Sequence, residues 1–169
     1  MTDMENKSKN NLKSVARRQA REAAFKLIFA FLFTGETGEG AVAESELMAE
    51  AELKTLGVAE SEYGYLETVY RGVVQEYDAL YALIGSHSKA FATERIFKTD
   101  LAVLLLAAYE LLHMSDIPSA VSANEAVELS QIYCSEKSPK FINGVLSAII
   151  KEKETEKEST ETDTCQQSI

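Results

Sequence analysis

The chain of 169 residues has no tryptophan and only two prolines, two cysteines and two histidines. Each scarcity excludes something. With two prolines there is little to interrupt long helices. Cys134 and Cys165 make no disulfide framework, and both read as reduced thiols of a cytosolic protein. His87 and His113 have no cysteine or second histidine at metal-ligand spacing, so no metal site is expected. No apolar run is long and charge-free enough to span a bilayer, and the start carries no signal-peptide pattern. The expectation is a soluble, cytoplasmic chain without a membrane segment. Period-two alternation is missing as well, which excludes a sheet protein.

What is present is helical periodicity on a chain that is 46% apolar, enough for a sizeable core. The fold class expected is all-α, one domain with polar ends. Residues 1–14 are polar and aperiodic and read as a disordered extension. From about Val15 to Phe33, Ala16, Ala20, Ala24, Leu27 and Phe31 make one buried stripe. Residues 34–40 hold three glycines and read as a loop, followed by a helix over 44–56 with Gly57 as its cap. A longer helix from about Glu60 to Ile84 carries the stripe Leu66, Val69, Val73, Tyr77, Leu80 and Ile84. Gly72 marks close packing within it, and Gly85 is expected to end it. Residues 86–98 connect, with one short helix. Asp100–Met114 is apolar on nearly every face and is therefore placed at the centre, with Thr99 or Asp100 as its N-cap. After Pro118 a helix runs to Cys134–Ser135, and a last one opens at Ser138–Pro139, with Ser138 as N-cap. The polar stretch 153–169 reads as a disordered acidic tail.

The net charge is −10, yet it is unevenly spread. Residues 1–33 carry seven basic and three acidic side chains, a net of +4, whereas residues 34–67 carry nine glutamates and one lysine, a net of −8. Arg17, Arg18 and Arg21 fall together on a flank of the first helix. They are either a solvated edge or a surface that meets phosphates and bases. Asn124 and the pair Asn143–Gly144 are poor helix formers inside helices, through packing and capping or through ligand contact. No histidine–carboxylate or cysteine–histidine pair reads as a catalytic constellation. A helix-turn-helix DNA reader is disfavoured, since the helix from Pro139 offers only Lys140 and Asn143 to base edges.

Arg-Arg-Gln-Ala-Arg-Glu (17–22), Tyr-Glu-Leu-Leu (109–112), Asp-Ile-Pro (116–118), Asn-Glu-Ala-Val-Glu-Leu (124–129) and Lys-Phe-Ile-Asn-Gly-Val-Leu (140–146) resemble the NusB family of bacterial transcription antitermination factors. The five stretches follow in the family's order and spacing, and cover the chain from about Val15 to Ile150. The resemblance implies two packed small helical bundles of about six or seven helices, spanning 15–152. It implies no enzyme and no cofactor. It implies binding of BoxA-like single-stranded RNA together with the small-subunit ribosomal protein NusE, within an antitermination complex with RNA polymerase. The RNA-binding residues it implies are Arg17, Arg18, Arg21, Phe29, Lys137, Lys140 and Phe141. Phe29 stands where the family often has tyrosine, which keeps stacking and loses a hydrogen bond. Phe141 also opens the apolar stripe of its helix, so a core role competes with stacking. The partner-binding positions implied are Asp100, Leu101 and Leu105, the two leucines departing from the family's basic residues. Other readings of the same fold are a protein–protein adaptor without RNA binding and a truncated accessory domain of an RNA methyltransferase.

Overall fold

The computed structural model describes residues 2–34, 55, 57–89 and 92–166. Among them are six α-helices and no strand: α1 (Thr2–Thr34), α2 (Tyr63–Gln75), α3 (Tyr77–His87), α4 (Lys98–His113), α5 (Ser119–Tyr133) and α6 (Ser138–Gln166). Single 3-10 turns precede α2 at Glu60–Glu62 and α4 at Thr93–Arg95. The loop expected at 34–40 and the helix expected at 44–56 fall almost wholly outside the described residues. None of the helices is long and apolar enough to cross a membrane.

The all-α expectation is met, and the apolar helix is central. Every residue of α4 from Asp100 to Leu111 is buried, and α4 packs against all five other helices. Two small bundles share it: α1, α2 and α4 on one side, and α3, α4, α5 and α6 on the other. Leu104 and Leu111 are 0% and 2% exposed. Of the stripe expected on α1, Ala20, Ala24, Leu27 and Phe31 are buried and Ala16 is half-buried; Ala23, outside it, is buried too, and the small alanines let that helix approach closely.

Several boundaries differ from the periodicity. The stripe from Leu66 to Ile84 spans two helices, since the backbone turns at Glu76 (φ −103°, ψ 17°) without proline or glycine. Gly85 lies inside α3 rather than ending it, and a Cβ there would sit 2.3 Å from Thr93 Oγ1. Neither Thr99 nor Asp100 caps α4. The cap position is Phe97, and Asp100 sits in the first turn. Ser138 opens α6, but its hydroxyl is donated to Asp100 across the bundle at 2.9 Å. Helix α1 begins at Thr2 rather than Val15, and α6 runs on to Gln166, with Glu154–Ser159 exposed. Such segments bury no stripe, so no apolar period announces them.

Glycine separates two kinds of helical position. A Cβ on Gly72 would lie 2.1 Å from the ring of Tyr109, which is buried, so α2 and α4 touch where only glycine fits. A Cβ on Gly144 would meet nothing within 4 Å, and Asn124, Asn143 and Gly144 are all exposed. Packing therefore does not explain glycine at 144. Denaturant titration of three variants checks this reading. Leu104→Ala should lose roughly 2–5 kcal/mol. Gly72→Ala should lose about 1–3 kcal/mol by displacing Tyr109. Gly144→Ala should gain about 0.5–1 kcal/mol from helix propensity alone.

Candidate RNA-binding surface

The arginines of α1 are organised by a carboxylate that the apolar helix α4 ought not to contain. Glu110 is 0% exposed among leucines and alanines. Such a charge is tolerated only when surrounded by donors. Its Oε1 accepts Arg21 Nε at 2.8 Å and the Tyr65 hydroxyl, and its Oε2 accepts Ser122 Oγ at 2.6 Å. One carboxylate thus ties α1, α2, α4 and α5 together. Burial, followed by the Glu110 charge, pushes the Tyr65 phenol far above its ordinary pKa, so it stays a donor.

Arg21 is therefore an interior ion, 3% exposed, with its Nη1 3.4 Å from Glu125 Oε2. This corrects the expectation that Arg17, Arg18 and Arg21 share one open face. Arg17 pairs with Glu62 and lies with its guanidinium carbon 4.3 Å from the Tyr65 ring centroid. Arg18, the most open of the three, is held by Glu125 at 2.8 and 3.1 Å and by Glu128 at 3.0 Å. Three guanidiniums meet four carboxylates, Glu62, Glu110, Glu125 and Glu128, and the cluster is not electropositive. No local pattern around the arginines marks these acids. The legible signal was a glutamate inside an otherwise apolar helix.

Farther along α1 the chemistry changes. The Tyr133 hydroxyl donates to Glu22, and its ring packs 4.9 Å from that of Phe25. The hydrogen bond to Glu22, with burial, raises the Tyr133 phenol to about 12. Phe29 is half-buried and meets Phe33 edge-on at 4.9 Å. Lys98, at the start of α4, donates to the Leu32 carbonyl at 2.9 Å, with its Nζ 4.1 Å from the Phe33 ring centroid. Ser138 in turn ties the α5–α6 turn to Asp100. The end of α1, the start of α4 and that turn therefore meet. Lys137 and Lys140 are exposed there, and Phe141 is half-buried against the core edge. Among the described residues, no carboxylate pairs with Lys98, Lys137 or Lys140.

The two basic groups do not form one patch. Arg18 lies beside Glu125 and Glu128 of α5, whereas Lys137 and Lys140 follow the far end of α5, past Tyr133. From Arg18 to Phe29 the rise along α1 is about 16 Å. The groups occupy opposite ends of one α1–α5 seam.

The partner positions are also corrected. Leu101 and Leu105 are 6% and 0% exposed, because α4 is buried on all sides, and neither offers surface to a partner. Asp100 is 5% exposed and accepts from Ser138, so it is no open surface acid. Its neighbour Cys134 has its thiol pushed up to about 12 by burial and by the Asp100 carboxylate, which keeps it protonated and inert.

A model of the NusB family matches residues 18–151. The chain is 36% identical over 141 residues to the transcription antitermination protein NusB of Clostridium botulinum, covering 79% of this chain and 99% of that one. The chain belongs to the NusB family. The namesake of Acetivibrio thermocellus is 36% identical over 139 residues, covering 82% of this chain and 91% of the relative. Among solved structures, T. maritima NusB superposes with a TM-score of 0.71 at 32% identity, over 80% of this chain and 91% of that one. A crystal structure of NusB and NusE with double-stranded RNA gives 0.70 at 23% identity, over 81% and 97%, a likeness of fold.

Thermal and denaturant unfolding distinguish the two kinds of arginine. Arg21→Ala strands the Glu110 charge and should cost about 3–5 kcal/mol. Arg18→Ala removes an open ion pair and should cost about 0.2–1 kcal/mol.

Proposed function

We propose that this protein is a non-catalytic, cytoplasmic transcription antitermination factor that binds BoxA-like single-stranded RNA together with the ribosomal protein NusE. The observation that carries this is family membership over residues 18–151, supported by relatives named as transcription antitermination proteins. The chemistry fits at one end of the seam. Lys137 and Lys140, which pair with no carboxylate among the described residues, offer charge to phosphates, and Phe29 with Phe141 offers half-buried rings beside them. Arg17 and Arg18 join the RNA surface by exchanging Glu62, Glu125 and Glu128 for phosphates. Arg21 contributes by holding α1 in place. NusE is not received by Leu101 or Leu105, which belong to the core.

The compensated arginines favour one competing reading, an adaptor of the same fold that binds protein and no RNA. Fluorescence anisotropy with a labelled BoxA-like RNA, with and without purified NusE, distinguishes the two. The proposal expects salt-dependent binding that NusE strengthens. Salt-insensitive or absent RNA binding with intact NusE binding supports the adaptor. Each phosphate contact to a single strand contributes a log–log salt slope of about 0.7. Lys137→Ala with Lys140→Ala should therefore flatten the slope by about 1.4. Arg17→Ala with Arg18→Ala should flatten it less, because those guanidiniums release carboxylates as they take phosphates.

A further inference from the structure

The aromatic side chains of α1 run from interior to solvent. Phe25, Phe29 and Phe33 are spaced four apart, so they stand one above another along one face. Phe25 is buried, Phe29 is half-buried and Phe33 is 61% exposed. Adjacent rings touch, at 6.2 Å between Phe25 and Phe29 and at 4.9 Å between Phe29 and Phe33. An open ring at a helix end needs no explanation by itself. The lysine fixed above it does. Lys98 is an exposed residue on another helix, yet its ammonium is held by the Leu32 carbonyl and by the Phe33 ring. No acid occurs in α1 beyond Glu22, and the nearest carboxylate on α4, Asp100, is buried and engaged by Ser138. The result is a flat apolar surface with a positioned cation, near the turn that carries Lys137 and Lys140, which pair with no carboxylate among the described residues.

We propose that Phe33 and Lys98 form an additional RNA-binding site, in which the ring stacks one unpaired base on the side away from Lys98 and the ammonium contacts its phosphate. This rests on the RNA-binding reading above and extends that surface beyond Phe29 to the end of α1. Aromatic faces flanked by cations suit single-stranded RNA, since every base has a π-face and every nucleotide a charge. An apolar protein surface would gain from the ring but would have to desolvate the lysine.

The chain has no tryptophan, so Phe33→Trp introduces a single indole that reports on its own surroundings. Titrating the full chain carrying Phe33→Trp with a single-stranded BoxA-like RNA should quench that indole, and titrating with NusE alone should not. Phe33→Leu keeps apolar bulk and removes the flat face. It should weaken RNA binding about 5- to 150-fold, the loss of one stacked base, with the salt slope unchanged. Lys98→Gln should lower the salt slope by about 0.7. Melting temperatures of the Phe33→Leu and Lys98→Gln chains should match the parent. If the parent binds RNA and Phe33→Leu binds it equally well, this inference fails and the RNA reading stands. If the parent binds no RNA, both fail. A Phe33→Leu chain that loses NusE but keeps RNA makes the site a protein contact and overturns the inference.

Discussion

A carboxylate removed from water must find its donors within the protein, and in this fold that demand falls on Glu110. Arg21, Tyr65 and Ser122 come from three different helices to meet it. The pairing is not simply a source of stability, since a buried ion pair can be worth less than the apolar contacts it replaces. What it supplies is geometry. Removing any donor leaves charge or polarity without water, so α1, α2 and α5 are held in one arrangement around α4. The alanine stripe on α1 permits that approach, and the glycine at 72 permits the same for α2 beside Tyr109.

The same pairing redistributes charge at the surface. An arginine-rich helix on an acidic chain suggests a basic face, but four glutamates from the turn before α2, from α4 and from α5 neutralise it. Lysines that pair with no carboxylate among the described residues remain near the α5–α6 turn and the start of α4. A polyanion drawn to this protein would therefore meet lysines and phenylalanines first. The guanidiniums become available only as their carboxylates let go.

Much of the fold was legible because buried helices carry their period in the residues. The stripe of α1 and the saturation of α4 needed no structure to find. Where burial stops, so does legibility: residues 6–15 of α1 and 154–159 of α6 are exposed, and nothing in their pattern separates solvated helix from coil. The turn at Glu76 was hidden for the opposite reason. The stripe on either side of it stays in phase, so a break without proline or glycine leaves no mark. At the candidate site, residue types were readable and partners were not. Arg17, Arg18 and Arg21 find their acids 45, 107 and 89 residues away, a separation that no local pattern encodes. Glu110 alone could have warned that one arginine would turn inward.

The two long helices have a consequence for how the molecule moves through water. With 33 and 29 residues, α1 and α6 are about 50 Å and 43 Å long. A compact chain of this length has a radius of gyration of only about 15 Å. A solid sphere of that radius of gyration is about 40 Å across, so each helix is as long as the body it helps to build. A rod that spans the whole body leaves its outer turns in water, and the exposed residues 6–15 and 154–159 add friction that an 18.6 kDa sphere would not have.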